Sequence, residues 1–290
     1  MYREHAAFAQ RAIRSVTVGN AIALPNGALE IFRRAAGMRV LHMVNAHPVE
    51  HNNVLAEAGL GPMHHEMVPG FTIDRVSEEI RIADAIMAPS SIVKQGLVSQ
   101  GVDPSKILVL PYGVDGNLFR ASRSDERQHR VAYVGQISYR KGVHLLVEAA
   151  RRLPHISFEL AGPVVSPEIL DVRPGNVTFH GRLDREGVAE LMRTSLVVAQ
   201  PSLEDAYPLA ALEAISSGAH LVASSAIGTM DAIESQPNCF PFTSGSVDEL
   251  VAALSDALMT PHVTGNQIIA STWDEYTEKV MEALPTRGAV

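Results

Sequence analysis

The sequence predicts an α/β protein made of two doubly wound, Rossmann-like domains in tandem. Two observations carry that prediction. Short, continuous apolar runs alternate with longer amphipathic ones, the pattern of parallel strands buried on both faces and joined by helices. One charged stretch without apolar periodicity, ASRSDERQHR at 121–130, interrupts the alternation and reads as a linker. A length of 290 residues, with 46% hydrophobic and 19% charged residues, allows one large or two modest cores. The limits that follow are 1–118, 119–272 and a C-terminal helix over 273–290, expected to pack back toward the first domain.

The first domain opens with MYREHAAFAQRAIRS, read as a short helix. Strands are expected at SVTVGN (15–20), RVLHMVNA (39–46), AIMAPS (85–90) and KILVLPYG (106–113). Helices are expected at GALEIFRRAA (27–36), DRVSEEIRIA (74–83) and SIVKQGLVSQ (91–100), with Ser90 or Ser91 as an N-cap. The second domain alternates regularly. Its strands are VAYVGQI (131–137), SFELAG (157–162), VTFHG (177–181), LVVAQ (196–200) and HLVASS (220–225). Its helices are HLLVEAARRL (144–153), DREGVAELMRT (184–194) and LAALEAISS (209–217). The tail STWDEYTEKVMEAL (271–284) reads as a helix capped by Ser271 or Thr272, with Trp273, Tyr276, Val280 and Leu284 facing inward.

Composition narrows the function. The formal charge is -8 and no Lys/Arg-rich run occurs, which argues against nucleic-acid binding. No apolar run reaches the ~18 residues of a membrane span, and the N-terminus lacks a secretory signal. Arg3, Arg11 and Arg14 offer either a solvated face or a contact with an anionic membrane surface. The single cysteine, Cys239, fits a reducing, cytoplasmic setting and a packing role in or near a strand.

Ligands of doubly wound domains sit outside the carboxyl ends of the strands. Two segments there carry chemistry. In VGQISYRKGVHLLVEA (134–149) a strand ends, Arg140 and Lys141 follow, and a helix starts at Gly142. Two cations beside a helix start suit a diphosphate; a surface Arg–Lys pair is the plainer alternative. In the stretch from Gln200 to Gly218 the acidic loop carries Asp205 and the next helix carries Glu213. Pro208 suits the first helical position, and the free N–H groups of the first turn can meet an anion. Walker A and GxGxxG patterns are both absent from the sequence, which disfavours an NTPase or a nicotinamide enzyme.

VGQISYRKGVHLLVEAARRL, VTFHGRLDREGVAELMRTSLVVAQPSLEDAYPLAALEAISSG and AIMAPSSIVKQGL…KILVLPYGVD together resemble the retaining glycosyltransferases of the GT-B fold, family 4 or group 1, over about residues 74–285. The resemblance implies a nucleotide-sugar-dependent hexosyltransferase whose C-terminal domain binds the donor. It implies that Lys141 holds the donor diphosphate, in the turn where Arg140 and Gly142 already suit one, and that Glu213 binds the ribose. Asp205 stands where a glutamate usually contacts the transferred sugar. The backbone of Ala206, Tyr207, Pro208 and Leu209 would meet sugar and phosphate, and Arg182 and Leu183 would lie near the base. Gln136 stands where many members carry an arginine. Nothing before SVTVGN matches the family's opening strand and Gly-rich turn, so the N-terminal domain is expected to be incomplete.

His47, after a strand and before a helix start at Pro48, matches the family histidine that faces the transferred sugar; a polar residue at a helix start is the alternative. His47-Pro-Val-Glu50-His51 also fits H-x-x-E-H, a zinc pattern whose third ligand would be Glu78 or Glu79. His64 and His65 read as solvated loop residues. The expected partners are a nucleotide sugar and an acceptor that is a saccharide, lipid or small molecule. No metal is expected, because two cations and a helix end supply the positive charge. Three other readings stand beside the transferase: a sugar-nucleotide binder without turnover, either a fragment or a subunit of a transferase; a retaining phosphorylase; and, from the zinc pattern, a metalloprotease.

Overall fold

In a computed structural model of the chain, residues 19–121, 127–261 and 271–284 are described. The N-terminal helix expected over 1–15 and most of the SVTVGN strand lie outside them. The chain divides into two compact units, Met1–Pro111 with Glu278–Val290, and Tyr112–Thr277. Residues 112–118, read with the first domain, therefore cluster with the second. The reason is local: the Val114 N–H donates to Ser271 O at 2.8 Å, and Val114 and Phe119 belong to the core of the second unit.

In the first unit the elements run β1 (Ala21–Ala23), α1 (Ala28–Phe32), β2 (Arg39–His42), α2 (Pro48–Glu57), α3 (Gly70–Ile82), β3 (Ala85–Ala88), α4 (Ser91–Ser99) and β4 (Ile107–Val109). The strands form one parallel sheet in the order β1-β2-β3-β4. Leu41, Ile86, Phe32, Leu55 and Leu97 are fully buried around it. Ser90 caps α4 by accepting the Val93 N–H at 3.4 Å. Helix α1 ends earlier than its periodicity predicts. Gly37 is drawn against Gly19, whose carbonyl accepts its N–H at 2.8 Å, and this turns the chain into β2.

The second unit carries the regular alternation. It comprises β5 (Gln128–Val134), α5 (Val143–Arg152), β6 (Ser157–Ala161), α6 (Glu168–Asp171), β7 (Val177–Phe179), α7 (Arg185–Thr194), β8 (Ser195–Gln200), α8 (Leu209–Ser216), β9 (His220–Ser224), α9 (Met230–Ile233), β10 (Cys239–Phe242) and α10 (Val247–Met259), together with the start of α11 (Trp273–Ala283), whose residues from Glu278 onward belong to the first unit. All six strands are parallel, in the order β10-β9-β8-β5-β6-β7. Numbered within the unit and read from the β7 edge this is 3-2-1-4-5-6, the doubly wound order. The direction in which the chain winds across the sheet reverses between β5 and β8. Strand β5 opens at Gln128, inside the stretch read as a linker, because Gln128–Arg130 already pair with β8 and β6.

Two expectations are corrected. Pro208 is the N-cap of α8, not its first residue, with ψ at 109° in the extended region. Helix α11 buries none of its residues, and Trp273 stays 40% exposed. The ring of Trp273 stacks on Tyr112 at 6.0 Å, and that stack leaves much of the indole uncovered. The start of α11 is a capping box: Thr272 Oγ1 accepts from the Glu275 N–H at 3.2 Å, and Glu275 Oε2 accepts from the Thr272 N–H at 3.1 Å.

Candidate functional site

The reversal between β5 and β8 brings together the two segments singled out by sequence. The turn after β5 packs onto the turn after β8. Leu203 N–H donates to Arg140 O at 2.8 Å. Gln200 Nε2, at the end of β8, donates to the Val134 carbonyl at 3.2 Å. Gly142 sits at φ +67°, and a Cβ there would lie 1.8 Å from Pro201 O. Only glycine permits both that conformation and that approach. Gly142 is also the N-cap of α5, and Ser138 Oγ accepts the Lys141 N–H at 3.2 Å.

Lys141 Nζ forms a direct ion pair with Asp205 Oδ2. Both side chains are largely withdrawn from water, at 15% and 11% exposure. Burial pulls the Lys141 ammonium below the ordinary lysine range, and the Asp205 carboxylate opposes that pull. Arg140 is engaged as well: its Nη1 donates to the Glu204 carbonyl at 3.1 Å and lies 3.7 Å from Glu204 Oε2. Glu204, buried at 8% exposure, was not singled out from sequence. Its neighbour Asp205 matched the family pattern, and nothing in the spacing marks Glu204 as the partner of Arg140.

The Asp205–Leu209 loop is held from the other side by the turn after β9. Asp205 and Ile227 form a parallel bridge, the Gly228 N–H donates to Asp205 O at 2.9 Å and the Asp205 N–H donates to Ala226 O at 3.3 Å. Ala206 and Tyr207 are buried.

A cavity of about 390 Å³ opens at the carboxyl ends of β5 and β6, lined by Gly135, Gln136, Gly162, Pro163, Arg182 and Leu183, among others. Arg182 and Leu183 thus share one hollow. Val188 of α7 also lines it; its helical position reads as ordinary core, so the sequence held no signal for it. Gln136 is exposed on the cavity wall.

Glu213 lies half-buried on α8. Burial pushes its carboxyl up to about 7, against the attraction of Arg185 at the start of α7. Among the described residues no side chain donates a hydrogen bond to it. A half-buried acid without a donor is suited to receiving hydroxyls from a ligand.

The comparisons with known proteins bear on the family and the fold. The sequence model of the family described as glycosyl transferases group 1 matches residues 115–280, more than half of the chain. The chain belongs to this family. It is 29% identical over 223 residues to the D-inositol 3-phosphate glycosyltransferase of Mycobacteroides abscessus, an alignment covering 69% of this chain and 48% of that protein. It is 27% identical over 216 residues to the sulfoquinovosyl transferase SQD2 of Arabidopsis thaliana, covering 69% of this chain and 42% of that one. The chain spans about half the length of the curated relatives it matches. Among solved structures, Anabaena HepE in complex with UDP and glucose superposes with a TM-score of 0.73 at 19% identity, over 96% of this chain and 80% of that one. The apo structure of OtsA gives 0.72 at 15% identity, over 99% and 78%. The group 1 chain thus has the α/β fold of two Rossmann-like sheets that the sequence predicted, the fold of the GT-B glycosyltransferases.

In the first unit of this group 1 protein, His47 is buried and is the N-cap of α2. Its Nδ1 accepts the Val49 N–H at 3.2 Å, which leaves the proton of the neutral ring on Nε2. Burial holds its pKa below the ordinary histidine value, with Glu50 pulling the other way. The zinc pattern does not assemble. His51 Nε2 bonds Glu66 O at 2.9 Å, and Glu50 Oε1 accepts from Ser99 Oγ at 3.0 Å and Gln100 Nε2 at 2.6 Å. Glu78 pairs with Arg81, and buried Glu79 takes the N–H groups of Asn26, Ala28 and Leu29. His64 is half-buried rather than solvated, its ring 4.3 Å from that of His65.

Proposed function

We propose that this chain transfers a hexosyl group from a nucleotide-diphosphate sugar to an acceptor hydroxyl, with retention at the anomeric carbon. The observation that carries the reading is the Lys141–Asp205 pair at the strand-order reversal of a group 1 fold. The relatives point the same way: solved neighbours hold UDP, glucose and UDP-glucose, and a trehalose-phosphate synthase holds glucose-6-phosphate.

In this reading the base enters the cavity beside Arg182 and Leu183, and Glu213 receives the ribose hydroxyls. The diphosphate meets Lys141, the α5 start at Gly142 and the backbone N–H groups of Ala206, Tyr207 and Leu209. Pro208 lacks an N–H and contributes its extended geometry to that loop. As charge grows on the leaving diphosphate, the Lys141 ammonium turns from Asp205 toward phosphate oxygen, an interaction stronger in the transition state than in the ground state. Asp205, released in part, accepts from the hydroxyls of the transferred sugar. Arg140 adds positive charge beside them. His47, neutral with its proton on Nε2, is a hydrogen-bond donor for the sugar. No divalent metal is needed, since fixed cations and helix N–H groups neutralise the leaving group. The acceptor is a saccharide, lipid or small molecule, and the protein works in the cytoplasm without nucleic acid. Among the described residues no helix is long and apolar enough to cross a membrane, and contact with a lipid acceptor would be peripheral in this reading.

A thermal-shift panel of UDP- and GDP-sugars, followed by product detection with the sugar that binds, tests the reading. A ligand at 100 times its dissociation constant stabilises by about 2.7 kcal/mol. Binding with release of nucleoside diphosphate supports it. Saturation without turnover overturns the transferase and leaves a sugar-nucleotide binder.

A further inference from the structure

Four aromatic rings of the second unit form one continuous cluster that ends on the Asp205–Leu209 loop. Tyr112 is its hub. It meets Tyr207 edge-on at 5.3 Å, stacks on Trp273 at 6.0 Å with 29° between planes, and meets Tyr276 edge-on at 5.5 Å. Trp273 and Tyr276 meet each other at 5.7 Å, nearly perpendicular. These are the favoured geometries for aromatic pairs, at favoured separations.

The hub is itself tightly held. Residues 112–114 lie against 271–273: Val114 and Thr272 form a parallel bridge, and a Cβ on Gly113 would fall 2.2 Å from the Thr272 carbonyl carbon. Tyr112 thus has little freedom to move. Tyr207 sits in the loop between β8 and α8, outside any regular element, yet its ring is buried at 7% exposure. Its anchoring comes from the core cluster of the second unit and from Tyr112.

We propose that Tyr112, braced by Trp273 and Tyr276, is a positioning residue for the donor loop. By fixing the ring of Tyr207 it sets where the N–H groups of Ala206 and Leu209 and the carboxylate of Asp205 stand. The inference rests on the reading of that loop as the sugar and phosphate subsite. Tyr112 and Trp273 touch no reacting atom in this account; they act through Tyr207. The base cavity opens over β5 and β6, and Tyr112 is not among the residues lining it. A change at Tyr112 should therefore affect the sugar diphosphate and spare the nucleoside.

The experiment compares the full chain with Tyr112→Ala, Tyr112→Phe and Trp273→Ala. Backbone hydrogen exchange over 203–212 is read without ligand. Affinity is read for UDP-glucose or GDP-mannose, whichever the wild type binds, and for the matching nucleoside monophosphate. The expected result is faster exchange over 203–212 in Y112A and W273A, with the strands β5 and β6 unchanged. Affinity for the sugar nucleotide falls about tenfold in Y112A, equivalent to about 1.4 kcal/mol, while the monophosphate binds as in wild type. Y112F restores both, since the ring makes the contacts with Tyr207, Trp273 and Tyr276. Unchanged exchange in Y112A, an equal loss of both ligands, or a Y112F as impaired as Y112A overturns the proposal. A wild type that binds no member of the UDP- and GDP-sugar panel refutes the functional reading instead, and the exchange data still decide the positioning role by themselves.

Discussion

Lys141 and Asp205, 64 positions apart in the chain, meet in a direct ion pair at the reversal between β5 and β8. Each residue is supplied by a different strand-to-helix turn, so the contact exists only when β5 and β8 lie side by side in the sheet. Removing Lys141 alone leaves a mostly buried carboxylate without its cation. Lys141→Ala should cost about 3 kcal/mol of stability, read by urea denaturation. Lys141→Met combined with Asp205→Leu should recover most of that, because both charges are gone. Neither variant should transfer sugar efficiently, each losing roughly 10²- to 10³-fold in kcat. A stable, fully active double variant would refute the assignment of both residues.

Glu213 makes stability depend on pH. Its carboxyl titrates at about 7 in the folded chain, and near its ordinary value of about 4.3 when unfolded. Between those values the folded state holds the extra proton, so stability falls as pH rises through the window. Glu213→Gln should flatten that slope and stabilise the protein at pH 8 by about 2 to 3 kcal/mol. Nucleotide binding should run the other way in wild type, strengthening as pH rises through 7 if the carboxylate receives the ribose. Paired thermal-shift and binding titrations from pH 5 to 8 check both signs.

His47 serves its helix whatever else it does. His47→Ala removes the acceptor for the Val49 N–H and should cost about 1 kcal/mol. His47→Asn keeps a good N-cap and should fold with nearly wild-type stability. If Nε2–H also donates to the transferred sugar, the Asn variant is stable but slow, with a reduced kcat. Full turnover in H47N would confine His47 to capping.

Gly142 should tolerate nothing larger. At φ +67°, with Pro201 O 1.8 Å from where an added Cβ would stand, Gly142→Ala strains the turn that carries Lys141. A loss of at least about 2 kcal/mol is expected, with donor affinity falling in step. Melting curves with and without UDP-glucose measure both.

Chelation separates this chemistry from a metal-dependent one. On the proposed reading, in which Lys141, Arg140 and the N–H groups of Ala206, Tyr207 and Leu209 carry the charge balance, turnover should survive prior dialysis against EDTA. Loss of activity restored by magnesium or manganese would overturn that arrangement.

Much of this was legible in the chain itself. Apolar runs such as LVVAQ and HLVASS fit central parallel strands, and Gly142 or Pro208 punctuate where strands give way to helices. The sequence places Lys141 and Asp205 at strand ends because each turn is a local matter of a few residues. The short helices at Glu168–Asp171 and Met230–Ile233, strand β10 and helix α10 are not among the elements expected from the sequence; for the two four-residue helices there is no period to detect. Helix α11 misled: Trp273, Tyr276, Val280 and Leu284 share a face, yet a helical stripe states only which residues lie together and not how completely they are covered.

By itself the sequence determined the alternation of strand and helix, the identity of the cations and carboxylates, and the resemblance to group 1. Tertiary structure alone decided who meets whom. The order β10-β9-β8-β5-β6-β7 follows from how the crossovers wind. It makes Lys141 the partner of Asp205, sets Arg140 against Glu204, and seats Tyr112 on Tyr207. The physical reason is range: backbone preference acts over a few residues, whereas burial of a carboxylate, the pairing of its charge and the stacking of a ring depend on chain segments brought together only when the sheet closes.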